Sequence, residues 1–120
     1  MNDFSTNNLI EQVQNDNKVE LPYRYKVVLS LIPFGRENAK PIKNEAEKMG
    51  INSRDVNAII RDLIIEYNIP IGSSSEKETK GYFIILDEHD KELAKKTLIT
   101  RMSGTYKRLN KLDSIPIKQA

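Results

Sequence analysis

The stretch GINSRDVNAIIRDLIIEYNIPIGSS, residues 50–74, constrains the fold most, because its spacing changes from helical to extended in the middle. Apolar residues first recur on one helix face, at Val56, Ile59, Ile60, Leu63 and Ile64. Asn52 can cap this helix by accepting from the N–H of Asp55, whose carboxylate can reach back to the Asn52 N–H. The pattern predicts a capped helix over residues 52–67.

Two β-rich runs around a polar turn follow this helix directly, and the predicted arms are Ile69–Gly72 and Tyr82–Leu86. The turn between them contains serines, charged residues and a glycine, but nothing apolar to hold it onto a core. Pro70 favours an edge position for the first arm, because proline cannot donate a hydrogen bond to a neighbouring strand. We therefore expect a β-hairpin beside the capped helix.

Two further helices are predicted upstream. The segment LPYRYKVVLSLIPF has one apolar face, formed by Tyr25, Val28, Leu29 and Ile32. The segment KNEAEKMG is a brief helix with Asn44 as a possible cap and with Ala46 and Met49 facing inward. Gly50 supplies the sharp turn after it, and Ile51 is expected to fill the gap between this helix and the capped one.

The order of helix, short helix, tight turn, capped helix and hairpin is that of a winged helix-turn-helix. Over about residues 22–112, the chain resembles small winged-helix DNA-binding proteins of phages and mobile elements, including plasmids, of low-GC bacteria. The resemblance lies in VVLSLIPFGRENA, GINSRDVNAIIRDLI and IPIGSS…KGYFI. It implies an α+β, mostly α, fold in which three helices and a hairpin wing are followed by a long C-terminal helix.

This interpretation divides the chain into a mostly flexible N-terminal arm (1–20), a winged-helix domain (21–87), a C-terminal helix (88–113) and a tail (114–120). Within the arm, a short helical stretch is expected around Leu9 to Val13. The C-terminal helix has an apolar seam at Leu98, Met102, Tyr106 (or Thr105), Leu109 and Leu112. The seam either covers the open side of the domain or pairs with a second copy, and a homodimer would suit a two-fold DNA site. Gly104 weakens the helix and marks a possible bend or close approach.

The outward face of the capped helix contains the residues expected to read DNA. Arg54, Asn57 and Arg61 share this face; arginine matches guanine and asparagine matches adenine. Ser53 lies near the helix N-terminus, where it can donate to a phosphate. The alternative is that Arg61 pairs with the neighbouring Asp62 or Glu66, while Asn57 only faces water.

Other predicted contacts lie outside this helix. In the wing, short donors and flexible cations suit backbone or minor-groove contact, at Ser73, Ser74, Ser75, Lys77, Thr79 and Lys80. Glu76 and Glu78 weigh against a purely phosphate-directed loop, and an exposed hairpin tip is polar in any case. Lys43 is expected to add a phosphate contact, together with the basic residues Arg24, Lys26, Arg36 and Lys40.

The distribution of charge and the lack of typical catalytic and metal-binding residues restrict the possible functions further. The net charge is only +2, but residues 1–20 hold four carboxylates against one lysine, whereas residues 91–120 hold eight basic residues against two acidic ones. A basic C-terminal part favours an anionic partner, although solvation of a surface helix also explains it. With no cysteine, no glycine-rich phosphate loop, no metal-ligand spacing and one histidine, His89, we expect neither catalysis nor a metal or cofactor.

The chain contains no apolar run long enough to span a bilayer and no pattern of a secretion signal, so a cytoplasmic location is expected. The predicted function is sequence-specific binding of double-stranded DNA, as a transcription regulator or as an accessory factor in replication, excision or conjugative transfer. The alternative is a winged-helix interaction module for a replication or transcription protein. The basic tail and serine-rich wing favour the first, and the acidic residues on the capped helix favour the second.

Overall fold

The computed structural model describes residues 5–117, and in this part of the chain five α-helices and one antiparallel hairpin surround a single apolar core. In chain order the elements are α1 (Thr6–Asn17), α2 (Tyr23–Leu31), a 3₁₀ turn (Arg36–Asn38), α3 (Lys43–Lys48), α4 (Ser53–Ile65), β1 (Ile71–Ser74), β2 (Gly81–Ile84) and α5 (Glu88–Ser114). The predicted α+β, mostly helical class, with a hairpin and a long C-terminal helix, is confirmed.

Helix α4 is the capped helix predicted from the sequence. Asn52 Oδ1 accepts from the N–H of Asp55 at 2.9 Å, as expected. The Asp55 carboxylate does not complete the predicted capping box, because it pairs with Arg24 of α2 at 2.7 Å. The predicted inward face is confirmed at Val56, Ile59, Ile60 and Leu63, whereas Ile64 is 40% exposed.

Helices α2 and α3 pack on the inner side of α4. The apolar face of α2 is buried at Val28 and Leu29, and Tyr25 is half-buried. Helix α3 starts at Lys43, so Asn44 lies within the helix and is not its cap.

The turn from α3 to α4 consists of residues 49–52. The prediction that Met49 faces inward is wrong, because Met49 lies past the end of α3 and its side chain is 53% exposed. Gly50 adopts a φ of +84°, which non-glycine residues rarely adopt, and this gives the sharp turn. Ile51 is buried as predicted, and its N–H donates to the carbonyl of Ala46 at 2.9 Å.

The hairpin strands lie closer to the turn than predicted, with Ile71 opposite Ile84 and Ser74 opposite Gly81. Ile69 belongs instead to the end of the α4 connection, where its N–H donates to the carbonyl of Leu63 at 3.0 Å. The segment before α3 contacts β2 through an antiparallel bridge between Lys40 and Tyr82.

The predicted N-terminal arm contains a helix that is longer than the short helical stretch expected around Leu9 to Val13. Residues 1–4 lie outside the described part, and Thr6–Asn17 form α1, capped by Ser5. Leu9, Ile10 and Val13 share one face that packs against the core, and Val13 is buried. Three apolar residues in a polar sequence are enough to anchor a helix when the rest of the domain provides a surface that fits them.

Helix α5 begins against β1 and then leaves the domain. Asp90, Ala94 and Thr97 are its buried residues, and Ala94 packs so closely on β1 that a Cβ at Gly72 would lie 2.7 Å from the Ala94 Cβ. From Leu98 to residue 117 every residue is exposed except the half-buried Gly104, which approaches nothing closely. Of the predicted tail 114–120, residues 118–120 lie outside the described part.

The projecting half of α5 makes the molecule long. Its largest dimension is 62 Å and its radius of gyration is 17.2 Å, against about 14 Å for a compact domain of this length. Within residues 5–117, none of the helices has both the length and the apolarity required to cross a lipid bilayer.

Candidate nucleic-acid interface

The outward face of α4 presents the four residues predicted to read DNA, Ser53, Arg54, Asn57 and Arg61, and all four are exposed. They lie outside the buried stripe and extend over the first nine residues of the helix. Ser53 and Arg54 are in the first helical turn, where the backbone N–H groups and the helix dipole favour an anion. The side chains expected to share one outward face therefore do share it.

The carboxylates of α4 bond to α2, and Asp62 is also close to Arg61 on the outward face. Asp55 pairs with Arg24, and Asp62 Oδ2 accepts from the hydroxyl of Tyr25 at 2.5 Å. That hydrogen bond, together with partial burial and the nearby negative charge, raises the pKa of Tyr25 to about 12. Both acidic residues are half-buried and contact α2.

The two arginines of α4 differ in whether a carboxylate of the chain pairs with them. Arg61 Nη2 lies 3.6 Å from Asp62 Oδ1, so the predicted alternative pairing does occur, but the Arg61 side chain is 67% exposed. Arg54 has no ion-pair partner among residues 5–117. Glu47 lines the same shallow depression as Ser53 and Arg54 and lowers the positive potential there.

Tyr82 connects the hairpin to this face and was missed in the sequence. It is half-buried on β2, and its hydroxyl donates to Asn57 Oδ1 at 3.3 Å. The hydrogen bond orients Asn57 and leaves the amide N–H groups of its side chain for an outside acceptor. Alternation along GYFI, which puts Tyr82 on the face opposite Phe83, was the available signal.

Only some of the wing residues that were predicted to contact DNA are exposed. Lys77 and Lys80 are exposed at the tip, together with Glu76 and Glu78. Ser74 is 3% exposed, and its hydroxyl accepts from the N–H of Glu76 at 3.1 Å. Its prediction as a DNA contact is therefore wrong, because the side chain stabilises the start of the turn.

The remaining wing and upstream residues are also less available than predicted. Ser73 is half-buried, as is Thr79, while Ser75 is exposed. Of the basic residues before α4, most are paired within the chain: Arg24 with Asp55, Lys26 with Glu20, Arg36 with Asp87 and Asp90, and Lys40 with Glu45. Lys43 is half-buried at the start of α3 and has no such pair among the described residues.

A groove of about 490 Å³ lies between the second half of α4, β1 and α5. Its walls are mainly aliphatic and include Ile60, Ile64 and Leu98. Arg61 and Arg101 line it as well, so α5 adds a cation next to the outward face of α4. The groove is open to solvent and continues into the exposed half of α5.

His89, the one histidine of the chain, is exposed at the start of α5. In the part of the chain that is described, no three His, Asp or Glu side chains come together as ligands for a metal ion. Comparison with protein-family profiles, curated proteins and solved structures finds no match to this chain. Its function therefore has to follow from its own residues.

Proposed function

We propose that this protein is a winged helix-turn-helix protein that binds double-stranded DNA with the first half of α4 in the major groove. The observation that carries the proposal is the division of charge on α4. Arg54 and Arg61 are exposed on the outward face, whereas Asp55 and Asp62 bond to α2, and only Asp62 also lies near one of the two arginines, at 3.6 Å from Arg61. Because Arg54 has no ion-pair partner among residues 5–117 and the Arg61 side chain is 67% exposed, this face offers cations to an anionic partner.

The arrangement of the neighbouring elements supports the winged fold. Helix α3, the Gly50 turn and α4 stand in helix-turn-helix order, and a hairpin follows α4 directly. The bridge between Lys40 and Tyr82 adds a short third edge to the hairpin. Through Tyr82 and Asn57, this small sheet contacts α4, so the hairpin and α4 would meet DNA on adjoining surfaces.

The exposed residues of α4 and those of the hairpin tip suit different parts of DNA. Arg54, Asn57 and Arg61 have the donors and acceptors that distinguish base edges, each contact being worth about 1–3 kcal/mol. Lys77 and Lys80 at the hairpin tip suit phosphates, which fix orientation without reading sequence. Such a protein would serve as a transcription regulator or as an accessory factor in replication, excision or transfer of a mobile element.

The test begins with selection of a preferred duplex from a random-sequence pool, followed by fluorescence-anisotropy titrations at several salt concentrations. Arg61→Ala should reduce the preference for the selected duplex over a scrambled one by about 5- to 150-fold. Lys80→Ala should weaken binding to both duplexes equally and lower the salt dependence by about one contact. Lys91→Ala is the matched control, because Lys91 lies beside Asp87 and Glu88, away from the hairpin tip.

Absence of binding to any duplex at low salt would contradict the proposal. If Arg61→Ala left the preference for the selected duplex over the scrambled one unchanged, α4 would not be the element that reads the DNA sequence. In the first case the alternative, an interaction module for a replication or transcription protein, would remain. It is favoured by the aliphatic groove and by the exposed apolar residues of α5.

A further inference from the structure

We propose that the projecting half of α5 forms an antiparallel pair with the same helix of a second copy, and that the partner's Ile115–Ile117 segment fills the groove between α4, β1 and α5. The inference does not depend on DNA binding. It starts from the exposed seam, in which Leu98, Met102, Leu109 and Leu112 are each between 56% and 70% exposed. A helix that leaves its own domain with such a seam has its apolar face in water unless another molecule covers it.

The spacing of the seam is self-complementary when the helix is reversed. Leu98 and Leu112 lie at equal distances from Thr105, and Met102 and Leu109 lie nearly so. In an antiparallel pair centred on Thr105, Leu98 meets the partner's Leu112 and Met102 meets the partner's Leu109, and each contact occurs twice. This is the isologous contact of a two-fold dimer, in which one patch serves both copies.

The end of α5 supplies the segment for the groove. The helix stops at Ser114, and Ile115 is extended, with a φ of −86° and a ψ of 121°. Pro116 prevents the helix from continuing. Ile115 and Ile117 are 48% and 92% exposed, so two isoleucines follow the seam without a place in their own domain.

The same antiparallel register brings this segment to the groove. It places the partner's Ile115 level with the helical turn that contains Ala94 and Leu98, and both residues line the groove. Leu98 belongs to the groove and to the seam, so the two surfaces are continuous. One partner helix therefore covers the seam while its extended end enters the groove.

Charge favours the parallel arrangement, whereas burial of apolar side chains favours the antiparallel one. The sizes of these two contributions therefore have to be compared. A parallel pair with Thr105 in the seam would put Arg108 near the partner's Asp113, whereas the antiparallel pair puts Arg101 near the partner's Arg108. Exposed pairs of this kind contribute little, because water and salt screen them. Burial of Ile115 and Ile117 in the groove, which requires the antiparallel pair, contributes more.

Disulfide cross-linking tests the direction, because the chain contains no cysteine. A mixture of Met102→Cys and Leu109→Cys proteins should form the mixed disulfide. Met102→Cys alone should form little, since its two copies would be about 10 Å apart along an antiparallel pair. Efficient self-cross-linking of Met102→Cys without the mixed product would establish the parallel pair and overturn the proposal, as would a monomer in sedimentation at all concentrations tested.

Charge reversal gives opposite signs for the two directions. Arg108→Glu should tighten an antiparallel dimer by about fivefold, because the introduced carboxylate would face the partner's Arg101 in two symmetric places. In a parallel dimer the same carboxylate would face the partner's Asp113 and weaken association. Sedimentation equilibrium at low and high salt measures both, and the wild-type antiparallel dimer should tighten as salt screens its arginines. Weakening in either experiment would contradict the proposal.

The occupant of the groove is tested separately. Ile64→Cys protein mixed with Ile117→Cys protein should give the mixed disulfide, because Ile64 lines the groove. The control is a mixture of Ile64→Cys and Met49→Cys proteins, since Met49 is also exposed but lies on the α3 turn. If Met102 and Leu109 cysteines cross-link while Ile64 and Ile117 cysteines do not, the second copy pairs through α5 but the assignment of the groove is overturned.

Discussion

The two halves of α5 differ in a way that their compositions do not indicate. Residues 88–97 contain only Leu93 and Ala94 as aliphatic residues, yet this half is fixed on the domain. Residues 98–114 contain four aliphatic residues, a methionine and a tyrosine, yet this half projects into solvent. The difference teaches that the packing of a helix depends on the surface offered to it, and that a few fitted contacts outweigh a larger number of apolar side chains.

The first half is held by two such contacts. Asp90 is 1% exposed and accepts from the N–H of Leu86 at 2.9 Å and from Arg36 Nη1 at 2.7 Å. Burial by itself would raise the pKa of Asp90, but the hydrogen bonds from Leu86 and Arg36 outweigh it and keep the pKa below its ordinary value. The second contact is the close fit of Ala94 on Gly72.

The largest predicted effect comes from removing this carboxylate. Asp90→Ala should lower the free energy of unfolding by about 3 kcal/mol, because it leaves buried donors without an acceptor. Asp113→Ala, on the exposed half of the same helix, should change it by less than about 0.5 kcal/mol. Urea denaturation of the two variants makes the measurement, and equal effects would show that the halves do not differ.

Replacing Gly72, which contacts the first half of α5, and Gly104, which lies in the second half, should change stability in opposite directions. Gly72→Ala should destabilise by about 1–3 kcal/mol, since its Cβ would lie 2.7 Å from both Ala94 Cβ and Phe83 Cζ. Gly104→Ala meets nothing within 4 Å and should stabilise α5 by about 0.5–1 kcal/mol through helix propensity. Thermal denaturation of both variants tests this, and a neutral Gly72→Ala would refute the close fit.

A smaller effect is expected where a fitted polar contact is only half-buried. Tyr25→Phe removes the hydroxyl that donates to Asp62 and should cost about 1 kcal/mol. Because the pKa of Tyr25 is raised from 10.0 to about 12, its stabilising contribution is complete below pH 10 and is lost as the pH rises towards 12. Alkaline denaturation of the two proteins should therefore converge between these values; a constant difference would contradict the hydrogen bond.

The smallest predicted effect is a change in unfolding free energy at acidic pH, and it is specific to Asp90. The pKa of Asp90 is lowered on folding, so its contribution is complete above the ordinary value of 3.8 and is lost as the pH falls below it. The difference in unfolding free energy between wild type and Asp90→Asn should thus shrink below about pH 4. Asp113→Asn is the control, and a difference independent of pH would show that Asp90 is not ionised in the folded protein.

Local rules predicted much of this fold. The cap at Asn52, the buried stripe of α4, the turn at Gly50 and the extent of α5 all follow from residue type and spacing. Helix α1 was predicted only as a short helical stretch around Leu9 to Val13 in a flexible arm, because Leu9, Ile10 and Val13 are too few to distinguish a docked helix from a flexible one. The difference depends on a surface that the rest of the chain provides, which local spacing does not describe.

The site was predicted less completely, for two reasons. The roles of Asp55 and Asp62 depend on Arg24 and Tyr25, some 30 or more residues earlier, so local sequence counted their charges against DNA binding when they in fact hold α2. Ser74 was assigned to the outside because the hairpin was expected to pair closer to its base. Strand β1 instead continues to Ser74, so this side chain belongs to the strand and is buried.

The proposed function requires that DNA contact α4 and the hairpin tip, and the proposed dimer requires that the projecting half of α5 serve another purpose. The direct measurement is a titration of the ¹⁵N-labelled protein with its selected duplex, followed by NMR amide shifts. The account predicts that the largest changes lie in residues 53–61 and 75–80, with residues 98–114 little affected. Changes concentrated in residues 98–114, with α4 unaffected, would contradict it.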